Sequence, residues 1–429
     1  MNEVNLAVND REVSKLTKRN IVLFIIGHTV SLLGTELYAF VLSLYILEVT
    51  GSALKFSVTF ALGMLPRIIF GPIAGVVADK LDRKKLVVFL DMLSAVVVFS
   101  LLALSILDEI RLVYIYTTTF LLAVCNAFFY TALTSSIPMF TDDEGVLKAN
   151  SLGQFASSFA SMSGPFIGGI LLGLLDIKLF LLINAISFLL SAISEMFIDF
   201  NVRDKIYGTS KKTSESKKST FWKDMSEGFR FLISQKWMLK LYSFILLFNS
   251  LIIIGLYVAL PYITKQSWGF TSQQFGILNT MYPLGILIAS ISYSFIPAAQ
   301  SNIKRIVRSL SIMSTCILII GIIASKKFFL LSNWQYVFIL GGLSFIVSFS
   351  ETLVNIPVAV IIQRLVPNEK LGRVQGIIGT FALGLVPISF VLGGLIVDIM
   401  QPWVLPIVCG VIMILLTFLM STIQELRKI

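Results

Sequence analysis

The sequence predicts an all-α membrane protein with twelve transmembrane helices in two six-helix halves. Three observations carry this. Of 429 residues, 56% are hydrophobic and only 14% charged, where a soluble globular protein has about 25% charged residues. Apolar segments of about twenty residues, long enough to cross a hydrocarbon core, recur from end to end. The bases behind the formal net charge of +10 fall in alternate loops, which is the positive-inside pattern and removes the need for a nucleic-acid partner.

The first half reads as spans at Ile21–Leu47, Phe56–Ala78, Leu86–Leu107, Leu112–Ile137, Ala149–Leu175 and Leu179–Phe200. The second reads as Leu239–Thr264, Phe275–Pro297, Ile306–Ser325, Trp334–Leu365, Gly372–Ile399 and Trp403–Ile423. The first run is too long for a signal-peptide core, and acids and bases precede it. Lys15, Lys18 and Arg19, the cluster Lys80 to Lys85, Lys304-Arg305 with Arg308, Arg364 with Lys370 and Arg373, and Arg427-Lys428 all fall on one side. Both termini are therefore expected in the cytoplasm, with the chain in the cell membrane. Cys125, Cys316 and Cys409 all lie in apolar runs, so neither a disulfide framework nor a metal site is expected, and no cofactor.

Three divisions follow: an N-terminal half over residues 1–200, a cytoplasmic linker over 201–238 and a C-terminal half over 239–429. Within the linker, Lys211–Thr220 is rich in Lys and Ser and has no core-forming residue, as a flexible tether would. Phe221–Lys236 alternates aromatic and charged residues at helical spacing, an amphipathic helix suited to the lipid interface. The halves echo each other at one constant offset: Glu144, Lys148, Asn150 and Gly168-Gly169 in the first answer to Glu369, Arg373, Gln375 and Gly393-Gly394 in the second.

Between the second and third spans lies Gly75-Val76-Val77-Ala78-Asp79-Lys80-Leu81-Asp82-Arg83-Lys84. It resembles the loop 2–3 signature of the major facilitator superfamily, Gly-x-x-x-Asp-Arg/Lys-x-Gly-Arg-Arg/Lys. Gly75, Asp79, Lys80, Arg83 and Lys84 match, and Asp82 replaces the usual glycine. Ser163-Gly164-Pro165-Phe166-Ile167-Gly168-Gly169 in the fifth span is similar to the Gly-Pro-x-x-Gly-Gly core of the drug-antiporter motif, although Ala160 and Ser151 replace that family's earlier glycines. A packing seam of small residues is the alternative reading. Gln363-Arg364-Leu365-Val366-Pro367 with Leu371-Gly372-Arg373-Val374 completes a resemblance to the drug and macrolide-efflux, enterobactin-exporter-like branch. The resemblance covers nearly the whole chain. It implies proton-coupled export of a small molecule through a midplane site between two parallel-repeat halves, with the Asp79–Arg83 hairpin latching them. One departure bears on coupling. The fourth span holds no base, only Asn126, Tyr130 and hydroxyls, where proton antiporters of the family usually carry an arginine.

Charges deep in apolar spans are the candidate functional groups, because lipid cannot solvate them. Glu36 lies about 24 Å along its helix from Asn20, and Arg67 about 18 Å from Asp79 at similar depth. They form either a structural ion pair or part of the transport path. Glu351 sits near the middle of the tenth span, with Asn355 one turn on. Asn249 and Tyr257 are polar points in the seventh. His28, the single histidine, is either a hydrogen-bonded structural residue or a proton carrier. Asp91, six residues past Lys85, is expected to tie to the loop 2–3 cluster. With Arg67 assigned to Glu36, Glu351 is the less compensated acid and the expected main proton carrier.

No nucleotide-binding Gly-x-x-x-x-Gly-Lys-Ser/Thr occurs, which argues against a primary pump. One histidine and no His-Glu-x-x-His argue against a hydrolase. The expected function is therefore a secondary transporter exporting a small amphiphilic drug, such as a macrolide, by proton antiport. Its partners are a small-molecule substrate, protons and membrane lipids, and it acts as a monomer. The alternatives are an exporter or flippase of a siderophore-like or lipid-like metabolite, or a channel.

Overall fold

The computed structural model describes residues 2–107, 110–202, 229–230, 232–293, 295, 302–325, 331–366 and 368–423. Among these there is no β-strand, and twelve long helices carry the fold. They are α1 (Asn2–Thr50), α2 (Ala53–Lys80), α3 (Arg83–Leu107), α4 (Leu112–Phe140), α5 (Asp143–Leu174) and α6 (Ile177–Met196). Then follow α7 (Lys236–Ile252), α8 (Ser272–Tyr293), α9 (Asn302–Ala324), α10 (Asn333–Leu365), α11 (Asn368–Ile399) and α12 (Val404–Thr422). Helix α7 runs on through two π-helical turns, Ile253–Val258 and Tyr262–Ser267. Among the described residues, eleven helices are long and apolar enough to cross a membrane, and α11 contributes the shorter apolar stretch Gly384–Ile399.

Local chemistry explains the helix starts. Asp142 caps α5 by accepting from the Gly145 amide at 2.7 Å, and Asp176 caps α6. Ser332 and Gln335 form a reciprocal capping box at α10. Each satisfies amides that the first helical turn leaves open. Prolines occur inside α4, α5, α8, α10 and α11, as membrane helices tolerate when neighbours satisfy the freed carbonyls. Buried hydroxyls turn inward: Ser163 donates to the Phe159 carbonyl at 2.6 Å, Thr264 to Leu260 at 2.8 Å and Ser314 to Leu310 at 2.6 Å. Apolar side chains such as Phe89, Val96, Leu174, Phe338 and Phe418 stand exposed, a surface that suits lipid rather than water.

The chain divides into two compact units: Met1–Leu42 with Leu62–Glu215, and Ser43–Ala61 with Ser216–Ile429. In the first, α3 packs on α4 and α6 around a core that includes Phe24, Leu90, Phe129, Leu133 and Phe140. In the second, α9 packs on α10 and α12 and α8 packs on α10, around Phe248, Ile317, Tyr336 and Met413. The α3 pairings therefore recur six helices later in the α9 pairings, as a parallel repeat requires. The linker run Lys211–Thr220 and the Phe221–Gly228 start of the expected amphipathic helix lie outside the described residues, as do the side chains of Gln363, Arg364 and Arg373.

Candidate functional site

In the second unit, Glu351 projects from the middle of α10. The Tyr282 hydroxyl of α8 donates to its Oε2, and the Asn355 amide one turn along reaches the same carboxylate. Tyr257 stands on the first π-helical turn of α7 and meets Tyr282 edge-on, with ring centroids 5.1 Å apart and planes at 64°. The wider π turn rotates the helix face, a device common where a side chain must be aimed. A cavity of about 20 Å³, lined by Glu351, Asn249, Asn355, Phe244, Phe248 and Met313, has room for about one water. Asn249, about a hundred residues away in the sequence, thus meets Glu351 and Asn355 at one small cavity. Among the described residues no ion pair reaches Glu351, so its partners are neutral donors.

An aromatic file continues from this acid. Tyr257 approaches Phe390 at 6.4 Å, and Phe390 stacks on Phe60 at 5.2 Å with planes 7° apart. At the end of α11, Asp398 accepts from Ser52 Oγ at 2.7 Å and from the backbone amides of Ala53 at 2.8 Å and Leu54 at 3.3 Å. The carboxylate lies on the positive end of α2, where its charge is favourable. Lys265, on the second π turn, pairs with Glu48, and Ser272 joins the same carboxylate at 3.1 Å. Neither Asp398 nor the Lys265–Glu48 pair was expected to have a role from the sequence.

In the first unit, Arg83 organises the α2–α3 hairpin. It donates to Asp79 Oδ1 at 2.7 Å, to the Ala78 carbonyl at 3.0 Å and to the Ser135 carbonyl of α4 at 2.7 Å. Lys84 donates to the Ile198 carbonyl at 2.8 Å. Asp82, the departure from the family pattern, caps α3 by accepting from the Lys85 amide at 3.1 Å. The hairpin thus gains a helix cap where the family has glycine. Lys80 is exposed, and a Cβ on Gly75 would meet nothing within 4 Å.

The drug-antiporter-like stretch of α5 packs against α1. A Cβ on Gly164 would come within 3.0 Å of Glu36 Cβ, and one on Gly168 within 2.8 Å of Phe40. The glycines let α5 press against α1 at Glu36, while Gly169 is buried and Pro165 sits within the helix. Asn126 of α4 donates to Thr35 Oγ1, next to Glu36, at 3.3 Å. The expected Glu36–Arg67 partnership is absent among the described residues: no ion pair joins them. Arg67 is exposed and lies over the Tyr130 ring at 5.1 Å, because equal depth along two helices does not make two side chains face each other. His28 is 3% exposed and stacks on Phe24 at 5.3 Å.

Asp91 departs from its expected role. It does not join the hairpin cluster but accepts from Ser31 Oγ of α1 at 3.0 Å and lies near Glu195 of α6. Glu195, 1% exposed, was missed altogether; an acid at the end of the sixth apolar run reads as interfacial until the packing of α3 on α6 is known.

Comparison with known proteins agrees with this architecture. The chain is 23% identical over 415 residues to macrolide efflux protein A of Streptococcus pyogenes, covering 94% of this chain and 95% of that one. It is 25% identical over 427 residues to the uncharacterized MFS-type transporter YfiS of Bacillus subtilis, covering 96% and 95%. Among solved structures it resembles a bacterial homologue of the iron transporter ferroportin in an inward-facing state, with TM-score 0.69 at 14% identity and coverage of 94% and 99%. It also resembles the nucleoside transporter NupG, with TM-score 0.68 at 12% identity and coverage of 95% and 98%. The Major Facilitator Superfamily profile matches residues 24–389. With its apolar helices, repeated helix pairing and charged α2–α3 hairpin, the chain belongs to the major facilitator superfamily and is a multi-pass membrane transporter, not an enzyme.

Proposed function

We propose that this transporter exports a small amphiphilic molecule of the macrolide class from the cell by proton antiport, with Glu351 as the main proton carrier. The observation that carries the coupling is the Glu351 carboxylate held by the Tyr282 hydroxyl beside a cavity of about 20 Å³. That space admits a water, the vehicle a proton needs, and is far too small for a drug. An acid inside an apolar span with neutral partners is poorly solvated as a charge, so in this reading its protonation follows the access of water. The name of the Streptococcus pyogenes relative supports the substrate class, and the Phe60–Phe390–Tyr257 file supplies apolar surface for such a molecule. In this reading both termini are cytoplasmic in the cell membrane, and the Asp79–Arg83 hairpin gates the cycle. Glu36, which the absence of a side chain on Gly164 lets α5 approach closely, is a secondary proton or substrate contact, and Arg67 acts apart from it.

The test is substrate uptake into inverted membrane vesicles under an imposed proton gradient. Glu351→Gln is expected to bind drug but lose gradient-driven accumulation. Wild-type accumulation by Glu351→Gln would show that another group carries the proton.

A further inference from the structure

The first unit holds a buried acid pair that this function leaves unused. Asp91 of α3 and Glu195 of α6 are 2% and 1% exposed. Each has one oxygen with a partner and one without: Asp91 Oδ2 and Glu195 Oε2 are sealed from solvent and accept from nothing. The donors near them can be counted. Ser31 Oγ donates to Asp91 Oδ1 at 3.0 Å. Ser191 Oγ lies 2.8 Å from the Gly27 carbonyl and 3.4 Å from Glu195 Oε1, and it also reaches Asp91. A hydroxyl has one hydrogen. The shorter contact to a carbonyl, which has no proton of its own, claims it. The Ser191–Glu195 contact then lacks a hydrogen unless the carboxyl supplies one.

Among the described residues no ion pair reaches either acid. The titratable residue of α1 next in sequence to Gly27 is His28, whose Nδ1 is also buried and without a partner and whose ring stacks on Phe24. From α4 comes the Cys125 thiol, close enough to feel the Asp91 charge, with Ser94 of α3 beside it. Lys84, a base in the first turn of α3, is committed to the Ile198 carbonyl at 2.8 Å. Two carboxylates ionised together in such a place would be unpaired buried charges repelling each other. Two close acids that cannot both ionise behave as one titrating unit.

We infer that Asp91 and Glu195 form a proton-binding site between α1, α3 and α6, separate from Glu351, in which the two carboxyls hold one proton between them, resting on Glu195 where it supplies the Ser191 contact. The ligand is a proton rather than a sodium ion. The Ser191–Glu195 contact calls for a hydrogen, which a proton supplies and a sodium ion does not. The site does not depend on the Glu351 reading. It gives the transporter a second place to hold a proton while α3 and α6 are closed on each other, and water entering between them would release it.

The experiment is infrared spectroscopy of the purified full-length protein at neutral pH in the Glu351→Gln background, reading the protonated-carboxyl C=O band. A shared proton predicts that Asp91→Asn and Glu195→Gln, each alone, remove the same whole band component, because the remaining acid ionises against an amide donor. An unchanged band in both variants overturns the site. A half-loss in each, or loss in one variant alone, overturns the joint holding of one proton. A wild-type melting comparison in sodium against choline at equal ionic strength needs no variant. Equal melting temperatures support the proton, and stabilisation by sodium overturns it in favour of a cation.

Discussion

The substitution Asp79→Asn separates gating from stability. The Asp79 side chain is 72% exposed and that of Arg83 24%. An ion pair so open to solvent contributes under about 1 kcal/mol, and Asn retains an oxygen that can accept from Arg83. The two stronger anchors of Arg83, the Ala78 and Ser135 carbonyls at 3.0 and 2.7 Å, do not involve Asp79. Protein abundance in the membrane should therefore stay at the wild-type level, with the melting temperature lowered by no more than about 2–4 °C. Arg83→Ala differs in kind, because it strips donors from two carbonyls and costs up to about 1–3 kcal/mol for each. If the hairpin gates transport, Asp79→Asn abolishes drug efflux at normal abundance, scored by drug retention in cells alongside an immunoblot of the membrane fraction. Full efflux by Asp79→Asn would refute the gating role. Loss of the protein from the membrane would refute the stability argument.

Two further outcomes follow from single contacts. Asp398→Ala removes the acceptor from Ser52, Ala53 and Leu54 and should cost about 1 kcal/mol as a lost helix cap, read as a lower melting temperature in detergent that Asp398→Asn largely restores. Gly285→Ala would place a Cβ 2.0 Å from Ser348 Oγ and 2.5 Å from the Phe345 carbonyl, forcing α8 from α10 at a cost of about 1–3 kcal/mol. Gly342→Ala, where a Cβ meets nothing within 4 Å, should melt like wild type.

Sequence periodicity and loop charge were enough to read the twelve spans, because both are local properties of the chain. The same holds for Glu351 with Asn355, since an acid and an amide one turn apart share a helix face. Pairings across helices were not legible. Rise per residue placed Glu36 and Arg67 at one depth, but depth says nothing of azimuth, and Arg67 turned to Tyr130 instead. Tyr282 carried no signal beyond being a tyrosine in an apolar run, and only the packing of α8 on α10 makes it the partner of Glu351. Asp91 was assigned by nearness in sequence to the hairpin, whereas its partners Ser31 and Glu195 come from α1 and α6. Asp82 was legible as a departure from the family pattern, and its meaning as a cap of α3 emerged from a single amide contact.

Proton-coupled export of an amphiphilic drug is measured with the wild-type protein in inverted vesicles loaded with a pH gradient and given a radiolabelled macrolide. Antiport predicts accumulation that rises with the gradient, collapses on adding a protonophore and is indifferent to replacing sodium by choline. No accumulation above vesicles lacking the protein, or accumulation that follows a sodium gradient and survives the protonophore, would contradict it.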